Sequence, residues 1–165
     1  MIKYLIGIIT MFFLFTSTSC IDTKKITTPN QIMLGKVYKK DFNLAPYKSW
    51  FNKEYDLYTL DKTNLNKIKN KLNGKEILVF FGSWCSDSRR EVPRFIKILD
   101  YLNINYRNVH FKALDHNKAA PDYIENTRDI VYVPTFIFLS NNKEIGRIIE
   151  TPENTLELDM VNILK

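Results

Sequence analysis

The sequence is poor in the side chains that bind metals through nitrogen or sulfur. Its 165 residues include two cysteines, Cys20 and Cys85, and two histidines, His110 and His116. No spacing among these four side chains resembles a zinc site, which needs several such ligands close together. We therefore expect no metal centre, and the sequence offers no motif for another cofactor.

The sequence also lacks a nucleic-acid-binding signature. Its formal net charge is +6, but the basic residues are spread along the whole chain. Such a distribution favours solubility and a weak attraction to anionic lipid rather than a nucleic-acid patch. With 165 residues and 45% apolar side chains, the chain can build one domain with a real core but not two.

The apolar stretch near the N-terminus is too short to span a bilayer. Residues 5–15 form an eleven-residue apolar run that follows Lys3 and precedes the small residues Thr16–Ser19. A positive residue, a short apolar run and small residues in this order predict a signal peptide over residues 1–19.

The residues around Cys20 resemble the lipobox of bacterial lipoproteins, although Ser17 stands where that family favours leucine. The resemblance implies that Cys20 is acylated and that residues 20–54 are a lipid-anchored tether and N-terminal extension. The protein would then be held on a membrane in the bacterial cell envelope, outside the cytoplasm. Without lipidation of Cys20, cleavage after Ser19 would release a secreted soluble protein.

A cysteine stands where a predicted buried strand meets a predicted helix. The run Ile77–Phe81 is typical of a strand buried on both faces, and Cys85 follows it after a Gly-Ser break. The next residues form an apolar helical stripe made of Val92, Phe95, Ile96, Leu99 and Leu102. Because the positive end of a helix dipole favours an anion, this position favours a thiolate and predicts a reactive cysteine.

The remaining periodicities predict an alternating α/β chain, β-α-β-α-β-α-β-β-α. Further strands are expected over 55–60, 108–114, 136–139 and 144–149. Further helices are expected from an Asp61 or Thr63 cap to Leu72, over 121–127, and from a Thr151 cap with Pro152 first. Asn141–Asn142 predicts a hairpin turn, and residues 32–52 an irregular extension that can hold a short strand or helix.

The segment Trp84-Cys85-Ser86-Asp87-Ser88, with Pro93 further along, resembles the active-site segment of the thioredoxin family. The run Arg90–Pro93 is most similar to the membrane-tethered, extracytoplasmic members. The resemblance implies an α/β thioredoxin fold over residues 55–165, with a central mixed sheet, helices on both faces and an N-terminal βα extension. The chain departs from the family in Ser88, which replaces the second motif cysteine.

Val133-Pro134-Thr135 resembles a second thioredoxin element. In that family the proline follows a cis peptide bond and lies beside the active-site cysteine. A cis bond is accessible before proline, and it leaves the backbone of Val133 free to pair with an extended substrate. The resemblance therefore implies substrate contact at Val133 and Pro134. Trp84 offers a further contact surface, unless its ring only packs at the edge of the core.

The resemblance makes Cys85 the nucleophile of thiol–disulfide exchange. Ser88 cannot resolve a mixed disulfide, but its hydroxyl can hydrogen-bond to the Cys85 thiolate. Arg89 favours that thiolate and Asp87 opposes it, unless these charges only form a solvated helix face. Val79 stands where thioredoxins carry a buried aspartate.

Two functions stay open at this stage. The first is monothiol reduction or isomerisation of protein thiols or disulfides in the cell envelope, with Cys85 as sole nucleophile. The second is a redox-inactive binding module that grips an extended polypeptide. A thiol peroxidase is disfavoured because Gly82 stands where those families carry a threonine.

Overall fold

The computed structural model describes residues 32–121 and 128–165. Within them, strands β1 to β5 are Gly35–Val37, Lys75–Phe81, Val109–Ala113, Thr135–Ser140 and Lys143–Ile149. Helices α1 to α4 are Tyr47–Leu57, Lys62–Ile68, Ser86–Tyr101 and Leu156–Ile163, with short 3₁₀ helices at Lys39–Asn43 and Tyr106–Asn108. The predicted signal peptide, Cys20 and nearly all of the helix expected over 121–127 lie outside the described residues.

The strands form one mixed sheet in the order β1-β3-β2-β4-β5. Strands β2 and β3 are parallel, and the other three pairs are antiparallel. Asn141 and Asn142 connect β4 to β5 with φ angles of 50° and 61°, which confirms the predicted hairpin turn. The apolar run of β2 lies in the middle of the sheet, and its carboxyl end leads directly to Cys85.

The strand predicted over 55–60 is wrong, because Tyr55 to Leu57 complete helix α1. Tyr55 and Tyr58 are three residues apart, which places them on the same face of a helix, so their spacing suits the end of a helix as well as a strand. The ring of Tyr55 stacks on Phe51 one turn earlier, with centroids 5.7 Å apart. The first strand is instead β1, which pairs antiparallel with β3 at the sheet edge.

Residues before 55 belong to the main core. Phe42 is fully buried, and its ring centroid lies 5.0 Å from Phe51 and 5.5 Å from Phe81 on β2. Met33 and Val37 join the same core cluster. The boundary expected between residues 54 and 55 therefore falls inside α1, in a segment that packs directly on the central strand.

The two faces of the sheet are covered differently. Helices α1 to α4 all contribute to the apolar cluster on the face that carries Ile77, Val79 and Phe81 of β2. On the opposite face, Phe80 and its neighbours on β4 pack against the loops that follow β3 and precede β4. Within the described ranges, no helix combines the length and apolar character needed to cross a bilayer.

Two helix starts show how capping decides a boundary. Asp61 caps α2 as predicted, because its carboxylate accepts the Asn64 N–H at 3.1 Å. The last helix does not begin after Thr151. It begins at Leu156, where the Thr155 hydroxyl accepts the Leu158 N–H at 3.2 Å.

Candidate active site around Cys85

Cys85 is the N-cap residue of helix α3, with an extended backbone (φ −82°, ψ 131°). Its carbonyl accepts the first helical bond from the Arg89 N–H at 3.0 Å, and its own N–H donates to the Gly82 carbonyl at 3.0 Å. The thiol is half-buried. Because the first N–H groups of a helix have no partner within it, the positive end of α3 is at this thiol.

The thiol of Cys85 faces the loop before β4. Its Sγ donates a hydrogen bond to the Val133 carbonyl at 3.2 Å. The peptide bond between Val133 and Pro134 is cis. The fold thus brings together three predicted site residues, Cys85, Val133 and Pro134. The hydrogen bond joins Cys85 and Val133, which are 48 positions apart in sequence.

The loop that carries Val133 is held at both ends. The Glu150 N–H donates to the Pro134 carbonyl at 2.6 Å, and the Thr135 hydroxyl donates to the Tyr132 carbonyl at 2.7 Å. Tyr132 and the preceding Val131 nevertheless expose 53% and 60% of their surface. A fixed backbone with exposed apolar side chains therefore lies beside the thiol.

Trp84 packs across the active-site loop. Its indole N–H donates to the Leu114 carbonyl at 2.9 Å, and its ring stacks on His116 with centroids 4.5 Å apart. The indole also lies against Gly82, where an added Cβ would be 2.6 Å from the ring. Glycine at 82 is therefore required by the close approach of Trp84.

His116 was not among the predicted site residues, although it follows a strand that ends beside β2. The loop that carries it is closed by Asp115, whose carboxylate accepts the Asn117 and Ala119 N–H groups at 2.8 and 2.9 Å. The stack on Trp84 makes His116 part of the wall next to Cys85.

Ser88 is fully buried beneath the loop. Its hydroxyl oxygen accepts the Gly82 N–H at 3.1 Å. The residue in the place of the second motif cysteine thus supports the backbone that leads to Cys85.

The two charged residues expected to tune the thiol have other partners. Asp87 pairs with Arg90 at 2.8 Å, and Arg89 donates to the Ser83 carbonyl at 2.6 Å. The guanidinium of Arg89 also lies 6.0 Å from the centre of the Trp50 ring. Both side chains therefore fix the surroundings of the loop, through an ion pair and a backbone contact.

A family match over most of the chain agrees with the arrangement of the site, in which β2 leads to Cys85 at the start of α3 and the Val133–Pro134 loop lies opposite the thiol. A family model described as Thioredoxin matches residues 40–162. The chain belongs to the thioredoxin family. Together with the mixed sheet, this match confirms the predicted α/β thioredoxin fold. Family membership also supports a thiol–disulfide role in general, since thioredoxins act on protein thiols or disulfides.

Curated thioredoxins align with about half of this chain. Mitochondrial thioredoxin-3 of Saccharomyces cerevisiae is 29% identical over 97 residues, which are 58% of this chain and 72% of the yeast protein. Thioredoxin H5 of Oryza sativa subsp. japonica is 30% identical over 78 residues, 47% of this chain and 53% of its own length. The chain therefore spans about half of the rice thioredoxin.

Among solved structures, a Pseudomonas aeruginosa protein of unknown function superposes with a TM-score of 0.55. The alignment covers 79% of this chain and 90% of that protein at 14% identity. An HIV epitope-scaffold protein superposes with a TM-score of 0.54 and covers 79% of this chain, also at 14% identity. At this identity the likeness concerns the fold alone.

The active-site helix of this thioredoxin-family chain also carries a buried acid that sequence reasoning missed. Glu91 is 3% exposed, and its carboxylate pairs with Arg90 at 2.6 Å and with Arg94 at 3.4 Å. Arg94 in turn reaches Glu54 on α1 at 2.9 Å. The side of α3 that carries the arginines is therefore an ion-pair network between two helices. In the described part of the chain, no three His, Cys, Asp or Glu side chains are grouped as metal ligands would be.

Proposed function

We propose that this protein is an envelope-anchored thioredoxin that carries out thiol–disulfide exchange with Cys85 as its sole nucleophile. The observation that carries the proposal is the position of the Cys85 thiol at the N-terminus of α3, 3.2 Å from the Val133 carbonyl. A helix N-terminus favours the thiolate, which is the form that attacks a disulfide.

In the proposed step, the Cys85 thiolate attacks one sulfur of a substrate disulfide. A new bond forms between Cys85 and that sulfur, the substrate disulfide breaks, and the other sulfur leaves as a thiolate. Ser88 has no thiol, so a second thiolate from outside the chain or from the substrate itself must attack the mixed disulfide. In a reduction, an outside dithiol attacks the Cys85 sulfur with its first thiolate and releases the second substrate thiolate, and its second thiolate then forms the outside disulfide and frees Cys85. In an isomerisation, another substrate thiolate attacks the substrate sulfur of the mixed disulfide, so that a new substrate disulfide forms and Cys85 leaves as a thiolate.

The substrate contacts proposed for this step are Trp84, Val133 and Pro134. The Val133 carbonyl points towards the sulfur, so a substrate N–H that donates to it would lie next to Cys85. The exposed side chains of Val131 and Tyr132 offer apolar contact to the residues flanking a substrate cysteine. These features suit an extended polypeptide segment.

The proposed location is the outer side of a bacterial membrane. It is supported by the signal-peptide pattern of residues 1–19 and by the lipobox resemblance at Cys20. Acylation by two or more chains provides stable anchoring, whereas a single chain binds only reversibly. Acylation would also consume the Cys20 thiol and leave Cys85 as the only thiol of the mature protein.

The rate of Cys85 alkylation tests the chemistry. With Cys20→Ser, iodoacetamide can react with one thiol only, and we expect it to label the folded protein faster at neutral pH than the same protein unfolded in urea, because the N-terminus of α3 exists only in the folded state. Cys85→Ser in the same background is the control and should take up no label. A folded rate equal to or below the unfolded rate would contradict the proposed exchange chemistry.

A second candidate is a binding module without redox turnover. It is supported by the buried hydroxyl of Ser88 and by the apolar Val79 in the place of the thioredoxin aspartate. Partners captured from envelope extracts separate the two functions. Retention of the same partners by Cys85→Ser favours the binding module, whereas partners that are lost with Cys85→Ser and released by a reductant favour exchange.

A further inference from the structure

The N-terminal segment joins the domain beside the active-site loop. The Met33 N–H donates a buried hydrogen bond to the Ser83 hydroxyl at 2.8 Å, and Ser83 is two residues before Cys85. Both residues are 2% exposed. The chain that arrives from Cys20 is therefore fixed to the loop that carries the nucleophile.

The direction of β1 leads to the same conclusion. Gly35, its first residue, is paired with Ala113 on β3, and Ala113 is paired with Phe81 at the carboxyl end of β2. Strand β1 then runs away from that end, because it is antiparallel to β3. The opposite end of the sheet is marked by Lys75, Ser140 and Lys143.

The length of chain between Cys20 and the domain limits how far the active site can be from the anchor. Twelve peptide steps separate Cys20 from Ile32, the first described residue. At 3.3–3.6 Å per residue, they span at most roughly 43 Å in any conformation. The far end of the sheet lies about 20 Å beyond the active-site end, the length of the seven-residue β2.

We propose that the anchor holds the active-site end of the domain towards the membrane, and that the substrates are thiols or disulfides of polypeptides at the membrane surface. The inference rests on the proposed lipidation of Cys20. It adds an orientation that lipidation alone does not give, because an anchor can join a domain at any point of its surface.

The side chains at this end suit such a partner. Leu34, Val131, Tyr132 and Ile149 all lie at the active-site end and are between 40% and 60% exposed. At the far end, Lys143 and Glu144 are exposed, and Ile145 exposes 38% of its surface. An apolar rim around the thiol favours the extended, apolar segments that flank the membrane spans or anchors of other envelope proteins.

Energy transfer to a labelled membrane tests the orientation. The full chain, acylated in a bacterial host, is reconstituted into phosphatidylcholine vesicles that carry an acceptor dye on a fraction of their headgroups. A donor dye is attached to Cys85, or to Lys143→Cys in a Cys85→Ser background as the matched control. Since the two sites lie at ends about 20 Å apart, we expect transfer from position 85 to exceed that from position 143 by about twofold.

Two results would overturn the orientation. Equal transfer from both sites, or higher transfer from position 143, means that the active-site end is not held towards the membrane. Sedimentation with vesicles that is the same for the wild type and for Cys20→Ser means that Cys20 anchors nothing, and the orientation then falls with the anchor. The exchange chemistry is judged separately, because the alkylation rate is measured without the anchor.

Discussion

At the scale of single residues, Ser88 keeps one role of the second motif position and loses the other. It supports the active-site loop by a hydrogen bond, but it cannot resolve a mixed disulfide. Its hydroxyl accepts the Gly82 N–H at 3.1 Å in a fully buried site. The backbone before Cys85 therefore has its hydrogen bond without a second thiol. The same oxygen gives the protein no means of resolving its own mixed disulfide.

We expect Ser88→Ala to destabilise the fold by about 1–3 kcal/mol, because it leaves the buried Gly82 N–H without an acceptor. Urea unfolding measures this change in the free energy of unfolding. Ser86→Ala, at an exposed position two residues earlier, is the matched control and should stay close to the wild type. Equal stability of the two variants would mean that the Ser88 bond contributes nothing.

The motif predicted where these residues lie better than what they do. The junction between β2 and α3 holds Trp84, Cys85 and Ser88 within five residues. Their positions could therefore be predicted from the sequence once the strand and the helix were recognised. The partners of Asp87 and Arg89, by contrast, depend on which neighbouring side chain or carbonyl each one meets. The stack of His116 on Trp84 joins residues 32 positions apart, and no periodic pattern encodes it.

At the scale of elements, α4 shows that capping chemistry needs geometry as well as residue type. Thr151 and Thr155 are equally suitable caps by sequence. The loop between them is held by Asp159, whose carboxylate accepts the Glu153 N–H at 2.7 Å. This bond keeps residues 151–154 outside the helix and makes Thr155 the cap.

Thr155→Ala should lower the free energy of unfolding by about 1 kcal/mol, the usual contribution of an N-cap side chain. Thr151→Ala is the matched control, and we expect almost no change because its hydroxyl does not cap α4. Thermal or urea unfolding of both variants provides the comparison. A larger loss for Thr151→Ala would contradict the assigned helix start.

Strong local patterns predicted β2, α3 and the β4–β5 hairpin, whereas β1 could not be recognised. It has three residues and starts at Gly35 with a φ of 77°, too little for an alternating pattern. Its pairing with β3 depends on a partner more than 70 residues away. Residues 55–60 were predicted as a strand because apolar and polar residues alternate in part of this stretch. The contacts of Tyr55 with Asp100 on α3 and of Tyr58 with Glu157 on α4 arise only from tertiary packing.

At the scale of the whole molecule, tyrosine–carboxylate hydrogen bonds join the helices. Tyr55 and Tyr106 both donate to Asp100 at 2.8 Å, and Tyr58 donates to Glu157 at 2.7 Å. Burial, followed by the bond to Asp100, raises the pKa of Tyr55 to about 12. Burial and the bond to Asp100 also raise the pKa of Tyr106.

These raised values predict alkaline instability. The folded state favours the neutral phenol, so the stabilisation is complete below the unfolded value of about 10 and is lost as the pH rises from there towards about 12. We expect the urea midpoint to fall between pH 9 and 11 and to fall less in Tyr55→Phe. Tyr38→Phe, at an exposed position, is the control and should keep the slope of the wild type. A Tyr55→Phe slope equal to that of the wild type would contradict this origin.

The bond between Met33 and Ser83 also has a mechanical consequence. If Cys20 is anchored as proposed, the chain in a mixed disulfide is held at one point by the membrane and at another by the substrate on Cys85. Because the Met33 N–H donates to the Ser83 hydroxyl and Cys85 is two residues further, tension between the two points would first load this hydrogen bond and the loop after it. The first load would therefore fall on the loop that carries the nucleophile, ahead of the pairing between β1 and β3.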